Sequence, residues 1–322
     1  MLGLAGIPLG ISFRFLDPAA DAPAGAVGEL LVGAYDDPAL LDRLGDGADA
    51  VTYEFENVPV EAALRVRAVP AAAALDAAQD RLAEKQLFRR LGIPTTRIDD
   101  EVETFPAILK SRRLGYDGKG QRLVSTHVAG TVPGHVLEER VAFVRELSLL
   151  SVRGPDGETR FWPLVENVHE DGILRTARAP ASNAPQAEAE EYGGRLLDEL
   201  GYVGVLALEL FDCGDRLLAN ELAPRVHNTG HWTIEGSATS QFENHMRAIL
   251  GLPLGSTDSR PSLLVNLIGS TPDPEAILRI PGAHLHLYGK EPRPGRKLGH
   301  VTLVEPTPER ERALLDLVAQ SN

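Results

Sequence analysis

Residues 220–231 read Asn-Glu-Leu-Ala-Pro-Arg-Val-His-Asn-Thr-Gly-His, and they are the most informative stretch of the chain. It contains a carboxylate, a guanidinium group, two imidazoles and two carboxamides, and it follows an apolar run that predicts a β-strand. Burying so many polar groups costs free energy, so purely structural segments rarely concentrate them. We therefore expect a strand that delivers functional groups to a cleft.

A hairpin that includes the start of this stretch pairs two glutamates. Residues 203–211 and 216–222 are largely apolar on both sides of a turn, which predicts two antiparallel strands. Glu209 and Glu221 lie about equally far from the turn, so we expect them side by side. Adjacent like charges destabilise a sheet. Mg²⁺ bound by both carboxylates, with Asn220 as a further oxygen ligand, would remove that repulsion. Two solvated acids on an exposed face are the alternative, but the apolar flanks favour the metal.

Composition limits the compartment and the partners. The chain has 322 residues with 32 basic and 46 acidic side chains, and its net charge of -14 argues against a nucleic-acid or anionic-membrane surface. Cys213 is the single cysteine, which excludes an internal disulfide and predicts a reducing, cytoplasmic environment. No apolar run is long enough to span a bilayer, and residues 1–11 lack the basic start and cleavage site of a signal peptide.

The order of predicted elements indicates an α/β part followed by α+β parts. Strands expected at 11–16, 29–35 and 48–55, with a helix near 38–44, predict a parallel sheet. A single long helix is expected over 73–91. Further helices are expected at 185–200 and 239–250, and a final amphipathic helix ends the chain. Further strands are expected at 106–111, 136–141, 146–152, 161–165, 263–268, 284–288 and 300–304.

A glycine-rich loop, residues 115–121, follows a short strand that ends at Lys110. Glycines let backbone N–H groups approach phosphate oxygens, and a lysine neutralises phosphate charge. The spacing is neither that of a Walker loop nor that of a dinucleotide-binding turn. A phosphate-binding loop and a mobile hairpin turn both fit this pattern. Lys110 fits either a phosphate ligand or a lysine that reaches solvent.

Several glutamates fit either a ligand cleft or an ordinary surface position. Neighbouring strand residues face opposite ways, so we expect one of Glu138 and Glu139 to point to a cleft, where it can bind ribose hydroxyls. The same expectation holds for Glu146, and charged edge positions are the alternative in both cases. Glu54 or Glu56 follows a predicted strand and is expected to face a ligand. Helix capping is the alternative role there.

A basic group stands out in this acidic chain: Lys290, Arg293, Arg296 and Lys297. Prolines and a glycine within the segment stiffen and turn it, which favours a phosphate pocket, whereas a solvated surface run is the usual explanation. The histidines and the cysteine show no zinc-site spacing.

These motifs resemble the ATP-grasp superfamily and, within it, the N5-carboxyaminoimidazole ribonucleotide synthetase family of purine biosynthesis. The resemblance covers nearly the whole chain and rests on residues 86–88, 115–121, 169–176, 201–205, 220–231, 239–243 and 293–300. It implies an ATP-grasp fold in three parts: a truncated Rossmann-like pre-ATP-grasp domain (1–75), an ATP-grasp domain of two α+β subdomains (76–260) and a small β-rich C-terminal domain (261–322).

The resemblance also implies a ligase reaction. ATP activates bicarbonate as carboxyphosphate, which breaks down to carbon dioxide, and the exocyclic amine of 5-aminoimidazole ribonucleotide captures it as a carbamate. Homodimers acting on small molecules are expected.

Residue matching assigns roles within this reaction. Mg²⁺ would be held by Glu209 and Glu221. The catalytic group at the bicarbonate position would comprise Arg225, His227, Asn228 and Lys119. The ribonucleotide would be bound by Tyr116, Asp117, Lys119, Glu54, Lys290, Arg296 and Lys297. ATP would be bound by Arg81, Lys110, Gly115, Tyr116, Asp117, Gly118, Gly120, Gln121, Glu138, Glu139, Arg140, Val141, Glu146, His169, Asn220 and Glu221.

The chain departs from the family pattern at its start. The family begins with a strand and a turn similar to Gly-Gly-Gly-Gln-Leu-Gly, whereas Met1 is expected inside the first helix, through a misassigned start codon or an engineered truncation. A formate-dependent transformylase and a biotin carboxylase are the alternative ATP-grasp enzymes. A nucleotide-binding protein without activity is the alternative of another class.

Overall fold

Two short parallel strands form the N-terminal sheet. The computed structural model describes residues 1–115, 120–126 and 132–321, without the side chain of Asp100. Strand β1 (Arg14–Asp17) pairs in parallel with β2 (Glu29–Val32), which confirms the predicted parallel pairing. The helices of this region are α1 (Leu2–Gly6), α2 (Pro38–Gly45) and α3 (Val60–Arg65).

Residues 48–55 do not form the strand that their alternating pattern predicts. The carbonyl of Val51 accepts the N–H of Val69 at 2.8 Å, and the Thr52 hydroxyl lies 2.8 Å from His245 Nε2. Tyr53 is buried in a small apolar cluster with residues of the following helices. This segment is therefore held by contacts to Val69 and His245 instead of a neighbouring strand.

The predicted long helix is two helices, α4 (Ala72–Gln79) and α5 (Arg81–Arg90). Asp80 breaks it with extended backbone angles (φ -122°, ψ 108°), and its carboxylate caps α5 by accepting the N–H groups of Leu82 and Ala83. The same carboxylate binds Arg112 at 2.7 Å. Propensity alone favours an unbroken helix, but capping and the arginine stabilise the break. As a result, α5 starts at Arg81.

A small antiparallel sheet is formed by residues that lie, in the sequence, between the N-terminal region and the strands of the large sheet. Its central strand β3 (Ala107–Ser111) pairs with β4 (Gln121–Val124) on one side and β5 (His135–Glu139) on the other. Its apolar face contains Leu109 and Leu137.

One large sheet contains the remaining strands, in the order β11-β10-β6-β8-β9-β12-β14-β13, with β7 paired to β6. The strands are β6 (Arg145–Arg153), β7 (Thr159–Phe161), β8 (Val165–Glu170), β9 (Ile173–Ala179), β10 (Gly204–Asp212), β11 (Leu217–Ala223), β12 (Ser262–Ile268), β13 (Ala283–Leu287) and β14 (Lys297–Val304). The helices of this part are α6 (Gln186–Glu199), α7 (Thr233–Gly236), α8 (Gln241–Ile249), α9 (Pro274–Leu278) and α10 (Pro308–Ser321). Strand β12 pairs with β9, so the C-terminal strands continue this sheet. The domain boundaries after residues 75 and 260 stay predictions.

Both faces of the large sheet are buried at strand β10. Along β10, Val205 and Ala207 pack in one apolar cluster, whereas Leu206 and Leu208 pack in another. The first cluster includes residues of α8, and the second includes residues of α5 and α6. Burying one leucine completely stabilises the fold by roughly 2 kcal/mol. Among the described residues, no helix has the length and apolar composition needed to cross a membrane.

Candidate active site

The hairpin β10–β11 brings together the two glutamates predicted to bind metal. Glu209 lies directly opposite Glu221, as predicted, and the register then shifts so that Leu210 lies opposite Ala219. Asn220 is therefore the extra residue of a β-bulge, a feature that redirects side chains near functional sites. Its Oδ1 atom is buried and has no hydrogen-bond partner among the described residues.

The chemistry of this pair suits a hard divalent cation. Burial, and then the charge of Glu221, raise the pKa of Glu209. A cation would relieve this repulsion and use the free oxygen of Asn220. Within the described residues, no three His, Cys, Asp or Glu side chains form a metal-holding group. Such a cation would therefore take its other ligands from phosphate oxygens or water.

Arg81, the first residue of α5, lies beside this pair of glutamates. Its Nη1 donates to Glu221 Oε2 at 3.0 Å. Burial raises the pKa of Glu221, but Arg81, Lys110 and Lys85 together outweigh burial and lower it overall. Glu221 is therefore ionised at neutral pH.

Lys110 and Glu138 form a buried ion pair. Lys110 Nζ lies 2.7 Å from Glu138 Oε2, and Lys85 Nζ lies 3.1 Å from Glu138 Oε1. Thr96 also donates to this carboxylate at 2.7 Å. Burial opposes the charge of Glu138, but the two lysines outweigh it and hold its pKa well below the usual range. Glu138 thus holds Lys110 in place, while Glu139 binds Arg97 at 2.9 Å on the other side, as strand alternation predicts.

A cleft of about 410 Å³ opens between the small sheet and β10. It is lined by Ile108, Lys110, Glu138, Glu139, Arg140, Val141, Ala142, Phe143 and Phe211. Phe143 and Phe211 stack with their ring centroids 4.9 Å apart. An apolar, aromatic cleft beside a lysine can take a flat heterocycle and an attached phosphate.

Glu146 and His169 meet at the neighbouring strands β6 and β8. His169 Nδ1 lies 2.8 Å from Glu146 Oε2. Burial lowers the pKa of His169, but the hydrogen bond and charge of Glu146 outweigh burial, so the pKa is raised overall. Glu146 lies opposite Phe211 on β10, two residues from Glu209, so this pair adjoins the two glutamates, whose charges contribute to the rise.

His227 is held against Glu209 by its backbone. Gln241 accepts the His227 N–H at 2.9 Å and donates to its carbonyl at 2.6 Å. His227 Nε2 lies 3.4 Å from Glu209 Oε1, and its Nδ1 has no hydrogen-bond partner in the part of the chain that the structure describes. Burial and the charges of Arg225 and Lys297 hold the pKa of His227 well below its usual value. The ring is therefore neutral.

Arg225 joins this group to the N-terminal part. Its Nη2 lies 2.8 Å from Glu56 Oε2. Glu54 instead accepts the backbone N–H of Leu2 at 2.9 Å, so the structure brings Glu56 rather than Glu54 to Arg225. A ribonucleotide-binding role for Glu54 stays a prediction. The Oδ1 of Asn228 is buried and lacks a hydrogen-bond partner within the described ranges.

The basic group lies near the segment that carries His227 and His231. Lys290 Nζ lies 5.6 Å from the centre of the Tyr288 ring, and Arg296 donates to the Glu291 carbonyl at 3.3 Å. Burial and neighbouring arginines lower the pKa of Lys290. The charge of Lys297 acts on His227 and on the buried ring of His231. The His231 ring lies 6.5 Å from the Tyr288 ring and 4.9 Å from the His300 ring, so the basic group 290–297 adjoins the segment that carries both histidines.

The glycine-rich loop begins and ends next to Lys110. Gly120 has a φ of +76°, and its carbonyl accepts the N–H of Ser111 at 2.7 Å. Gln121 pairs with Lys110 in the sheet register. Gly115 is half-buried. Four predicted site residues of this loop lie outside the described residues: Tyr116, Asp117, Gly118 and Lys119.

The sequence interpretation missed several residues of this site, namely Phe143, Phe211, Glu84, Lys85 and Gln241. Two signals were available. Phe143 lies two positions after the last of the predicted cleft residues 138–141, and Phe211 lies two positions after Glu209 on the same strand face. The adjacent charges Glu84 and Lys85 gave no such signal, because charged helix residues are usually solvated.

Comparisons with known proteins agree with this geometry. A ribonucleotide synthetase preATP-grasp domain matches residues 1–79, an ATP-grasp domain matches 94–242, and a phosphoribosylaminoimidazole carboxylase C-terminal domain matches 262–313. N5-carboxyaminoimidazole ribonucleotide synthase of Pseudomonas aeruginosa is 48% identical over 94% of this chain and 91% of its own length. The Brucella melitensis synthase is 46% identical over 95% of this chain and 93% of its own length.

Solved structures match over almost the full length. The N5-carboxyaminoimidazole ribonucleotide synthetase of Thermus thermophilus superposes with a TM-score of 0.93 at 51% identity, covering 100% of this chain and 95% of that one. The Aspergillus clavatus synthase in complex with ADP and 5-aminoimidazole ribonucleotide has a TM-score of 0.88 at 31% identity, covering 99% and 95%. The chain therefore belongs to the N5-carboxyaminoimidazole ribonucleotide synthase family of ATP-grasp ligases, which carry out the ATP-dependent carboxylation of 5-aminoimidazole ribonucleotide in purine biosynthesis.

Proposed function

We propose that this chain carboxylates 5-aminoimidazole ribonucleotide with bicarbonate, through carboxyphosphate, at a Mg²⁺-dependent site. One observation carries the proposal: the ring of His231, four residues after His227, lies 4.9 Å from the ring of His300, on the strand β14 that begins at Lys297. Lys297 belongs to the basic group that suits a ribonucleotide phosphate, and His227 lies beside Glu209 on the metal side. A one-carbon group can pass from one substrate to the other only when the binding sites of the two substrates adjoin.

In the proposed reaction, a bicarbonate oxygen attacks the γ-phosphorus of ATP, and the bond from that phosphorus to the ADP oxygen breaks. Carboxyphosphate then breaks down to carbon dioxide and inorganic phosphate. The exocyclic amine of the ribonucleotide adds to the carbon of carbon dioxide and loses a proton, which gives the carbamate. Water must be kept from carboxyphosphate throughout, since its hydrolysis would waste the ATP.

The nucleotide side of the proposal uses the cleft and the residues around Lys110. The base would lie beside Val141 and Phe143, and the phosphates would lie near Lys110, Arg81 and the loop 115–121. Mg²⁺ held by Glu209 and Glu221 would neutralise phosphate charge. Support for ATP as the nucleotide comes from the Aspergillus clavatus relative, whose solved structure is described as complexed with ATP.

Arg225, His227 and Asn228 are proposed to line the bicarbonate and carboxyphosphate position, with Lys119 from the glycine loop. Arg225 supplies a fixed positive charge, which stabilises negative oxygens in a phosphoryl-transfer transition state. Neutral His227 and the free oxygen of Asn228 can hydrogen-bond a bicarbonate oxygen or its proton.

The ribonucleotide is proposed to bind across the opposite half-site. The residues assigned to it are Tyr116, Asp117, Lys119, Glu54, Lys290, Arg296 and Lys297. Lysines and an arginine together neutralise a phosphate dianion well. A homodimer and a cytoplasmic location complete the proposal, and the single Cys213 thiol fits a reducing compartment.

The test is ADP release with Mg²⁺, ATP and ¹³C-bicarbonate, with and without 5-aminoimidazole ribonucleotide. We expect the ribonucleotide to stimulate ADP release and a ¹³C carbamate to form in about equal amount, detected by NMR at alkaline pH. Arg225→Lys should lose carbamate formation, whereas Arg312→Lys on the exposed face of α10 serves as the matched control. Substituting formate or free biotin tests the other ATP-grasp activities: turnover with either, and none with the ribonucleotide, would overturn the proposal. Binding of ADP without any turnover would instead indicate a nucleotide-binding protein without activity.

A further inference from the structure

Two adjacent ionisable residues of α5, an acid and a base, are buried beside the proposed nucleotide site. Glu84 and Lys85 are each 1% exposed. Glu84 Oε1 accepts the N–H of Leu222 at 2.6 Å, and Lys85 Nζ donates to the carbonyl of Asn220 at 2.6 Å. These two backbone groups flank Glu221 in the chain, so α5 holds the strand on both sides of the proposed metal ligand.

Strand β11 needs such partners because it is the edge of the large sheet. Backbone groups on the outer side of an edge strand have no neighbouring strand to bind. Ala219 is satisfied by neutral groups there: its N–H donates to the Pro94 carbonyl at 2.8 Å, and its carbonyl accepts the Thr95 hydroxyl at 2.7 Å. Neutral partners therefore suffice at one position of this edge, whereas charged ones are used at Asn220 and Leu222.

Charged partners are costly in such a place. Removing a carboxylate and an ammonium group from water costs several kcal/mol for each ion, and packed apolar or neutral residues often stabilise a core better. Satisfying two backbone groups does not require that cost. Burial accordingly raises the pKa of Glu84 to about 8 and lowers the pKa of Lys85. Keeping two ionisable groups at this cost points to a positional role beyond stability.

Lys85 also reaches the second half of the nucleotide site. Its Nζ lies 3.1 Å from Glu138 Oε1, and the other oxygen of Glu138 lies 2.7 Å from Lys110 Nζ. The ammonium group of Lys85 thus contacts the backbone of β11, which carries Glu221, and also Glu138 of β5. Glu138 in turn binds Lys110 of β3. Arg81, one helical turn before Lys85, donates to Glu221 itself. A single face of α5 therefore contacts both sheets.

We propose that Glu84 and Lys85 are positioning residues that set the distance between the metal-binding carboxylate of Glu221 and the phosphate-binding ammonium group of Lys110. They act through the Asn220 and Leu222 backbone and through Glu138, without touching substrate. The inference rests on the proposed nucleotide site. Residues that orient metal ligands typically change metal affinity by roughly 10–100-fold when they are removed.

The test compares three variants with a matched control on the same helix. Lys85→Met keeps the length of the side chain and removes the charge; Glu84→Leu removes the acceptor; Glu84→Gln keeps an oxygen that can accept the Leu222 N–H. Gln86→Met, at an exposed position of α5, is the control. ADP affinity is measured by calorimetry with Mg²⁺ and with EDTA, together with thermal unfolding and the KM values for ATP and ribonucleotide.

We expect Lys85→Met and Glu84→Leu to lose roughly tenfold or more of the Mg²⁺-dependent gain in ADP affinity, with the ribonucleotide KM nearly unchanged. Glu84→Gln should keep most of that gain, and Gln86→Met all of it. Wild-type Mg²⁺ enhancement in a folded Lys85→Met, or equal losses for both substrates that follow the loss of stability, would overturn the inference. If Lys85→Met fails to fold, an equal effect of Glu84→Leu and Glu84→Gln would overturn it. Absence of Mg²⁺-dependent ADP binding in the wild-type chain would instead overturn the proposed site, and the inference with it.

Discussion

Glu209 lies directly opposite Glu221 across two antiparallel strands, yet the two carboxylates differ in acidity. Burial, and then the charge of Glu221, raise the pKa of Glu209. Burial also raises the pKa of Glu221, but Arg81, Lys110 and Lys85 together outweigh burial and lower that pKa overall. The pair therefore carries one readily ionised carboxylate and one that holds its proton more tightly. A divalent cation bound there would compete with that proton.

Glu221→Gln should abolish Mg²⁺-dependent turnover and leave the fold intact. The amide keeps the size of the side chain but loses the charge that a hard cation prefers. We expect kcat to fall by roughly 100-fold or more, with a similar thermal unfolding midpoint. Glu158→Gln, a surface carboxylate next to β7, is the control and should keep full activity. A wild-type rate in Glu221→Gln would refute the metal assignment.

Lys297→Ala should raise the KM for the ribonucleotide much more than the KM for ATP. Losing a charge-assisted contact to phosphate costs roughly 1.5–3 kcal/mol, or about 10–100-fold in affinity. The variant should also raise the pKa of His227, because the charge of Lys297 helps to lower it. Steady-state kinetics with each substrate varied in turn provides the measurement, and Arg312→Ala on α10 is the charge-matched control. Equal increases in both KM values would reject the phosphate role.

The free energy of unfolding should fall as the pH is lowered from about 6.5 to about 4, because the fold disfavours protonation of the buried His245 ring. This buried ring accepts the N–H of Val205 at its Nδ1 and lies 2.8 Å from Thr52 Oγ1 at its Nε2, so the neutral form is satisfied. Burial lowers its pKa to about 4, against about 6.5 in an unfolded chain. The unfolded chain binds more protons between these values, so stability is complete above pH 6.5 and is lost as pH falls to 4.

The expected loss from this one group is about 3 kcal/mol across the whole window. Urea unfolding of the wild type and of His245→Gln at pH 7, 6 and 5 measures it, since other titrating groups affect both proteins alike. The free energy of unfolding should fall less steeply with acid in the variant. Identical slopes would show that His245 does not titrate in this way.

Local patterns allowed part of this site to be predicted. The position of Glu209 opposite Glu221 follows from residue counting across a short turn, and the alternation of Glu138 and Glu139 follows from strand geometry. Both depend on neighbours that are close in the sequence. The identification of the family extended the prediction to Arg225 and His227, whose roles no spacing rule supplies.

The parts that were missed depend on contacts between distant residues. Asp80 breaks a helix of good propensity because Arg112 lies within reach of its carboxylate, 32 residues further along the chain. Thr52 contacts His245 instead of a neighbouring strand. Burial of Lys85 depends on Asn220 and Glu138 being brought together. Tertiary contacts of this kind override propensity and pattern.

Gly230→Ala should lower both stability and activity, because the glycine packs against the residue that orients His227. A Cβ atom at Gly230 would lie 2.5 Å from Leu150 Cδ1 and 2.7 Å from Gln241 Nε2. Gln241 makes both hydrogen bonds that hold the His227 backbone, so its displacement should misplace the imidazole beside Glu209. We expect overpacking to cost roughly 1–3 kcal/mol in the free energy of unfolding, and kcat to fall while the ribonucleotide KM changes little.

Gly194→Ala provides the matched control for that variant. Gly194 lies within α6, and a Cβ atom there would meet nothing within 4 Å. Alanine is favoured over glycine in a helix by roughly 0.5–1 kcal/mol, so this variant should be slightly more stable with normal kcat. Chemical unfolding and steady-state kinetics distinguish the two substitutions. If Gly230→Ala kept wild-type stability and kcat, the close packing of Gln241 would not be what orients His227, and the backbone of residues 227–230 would have to be held by other contacts.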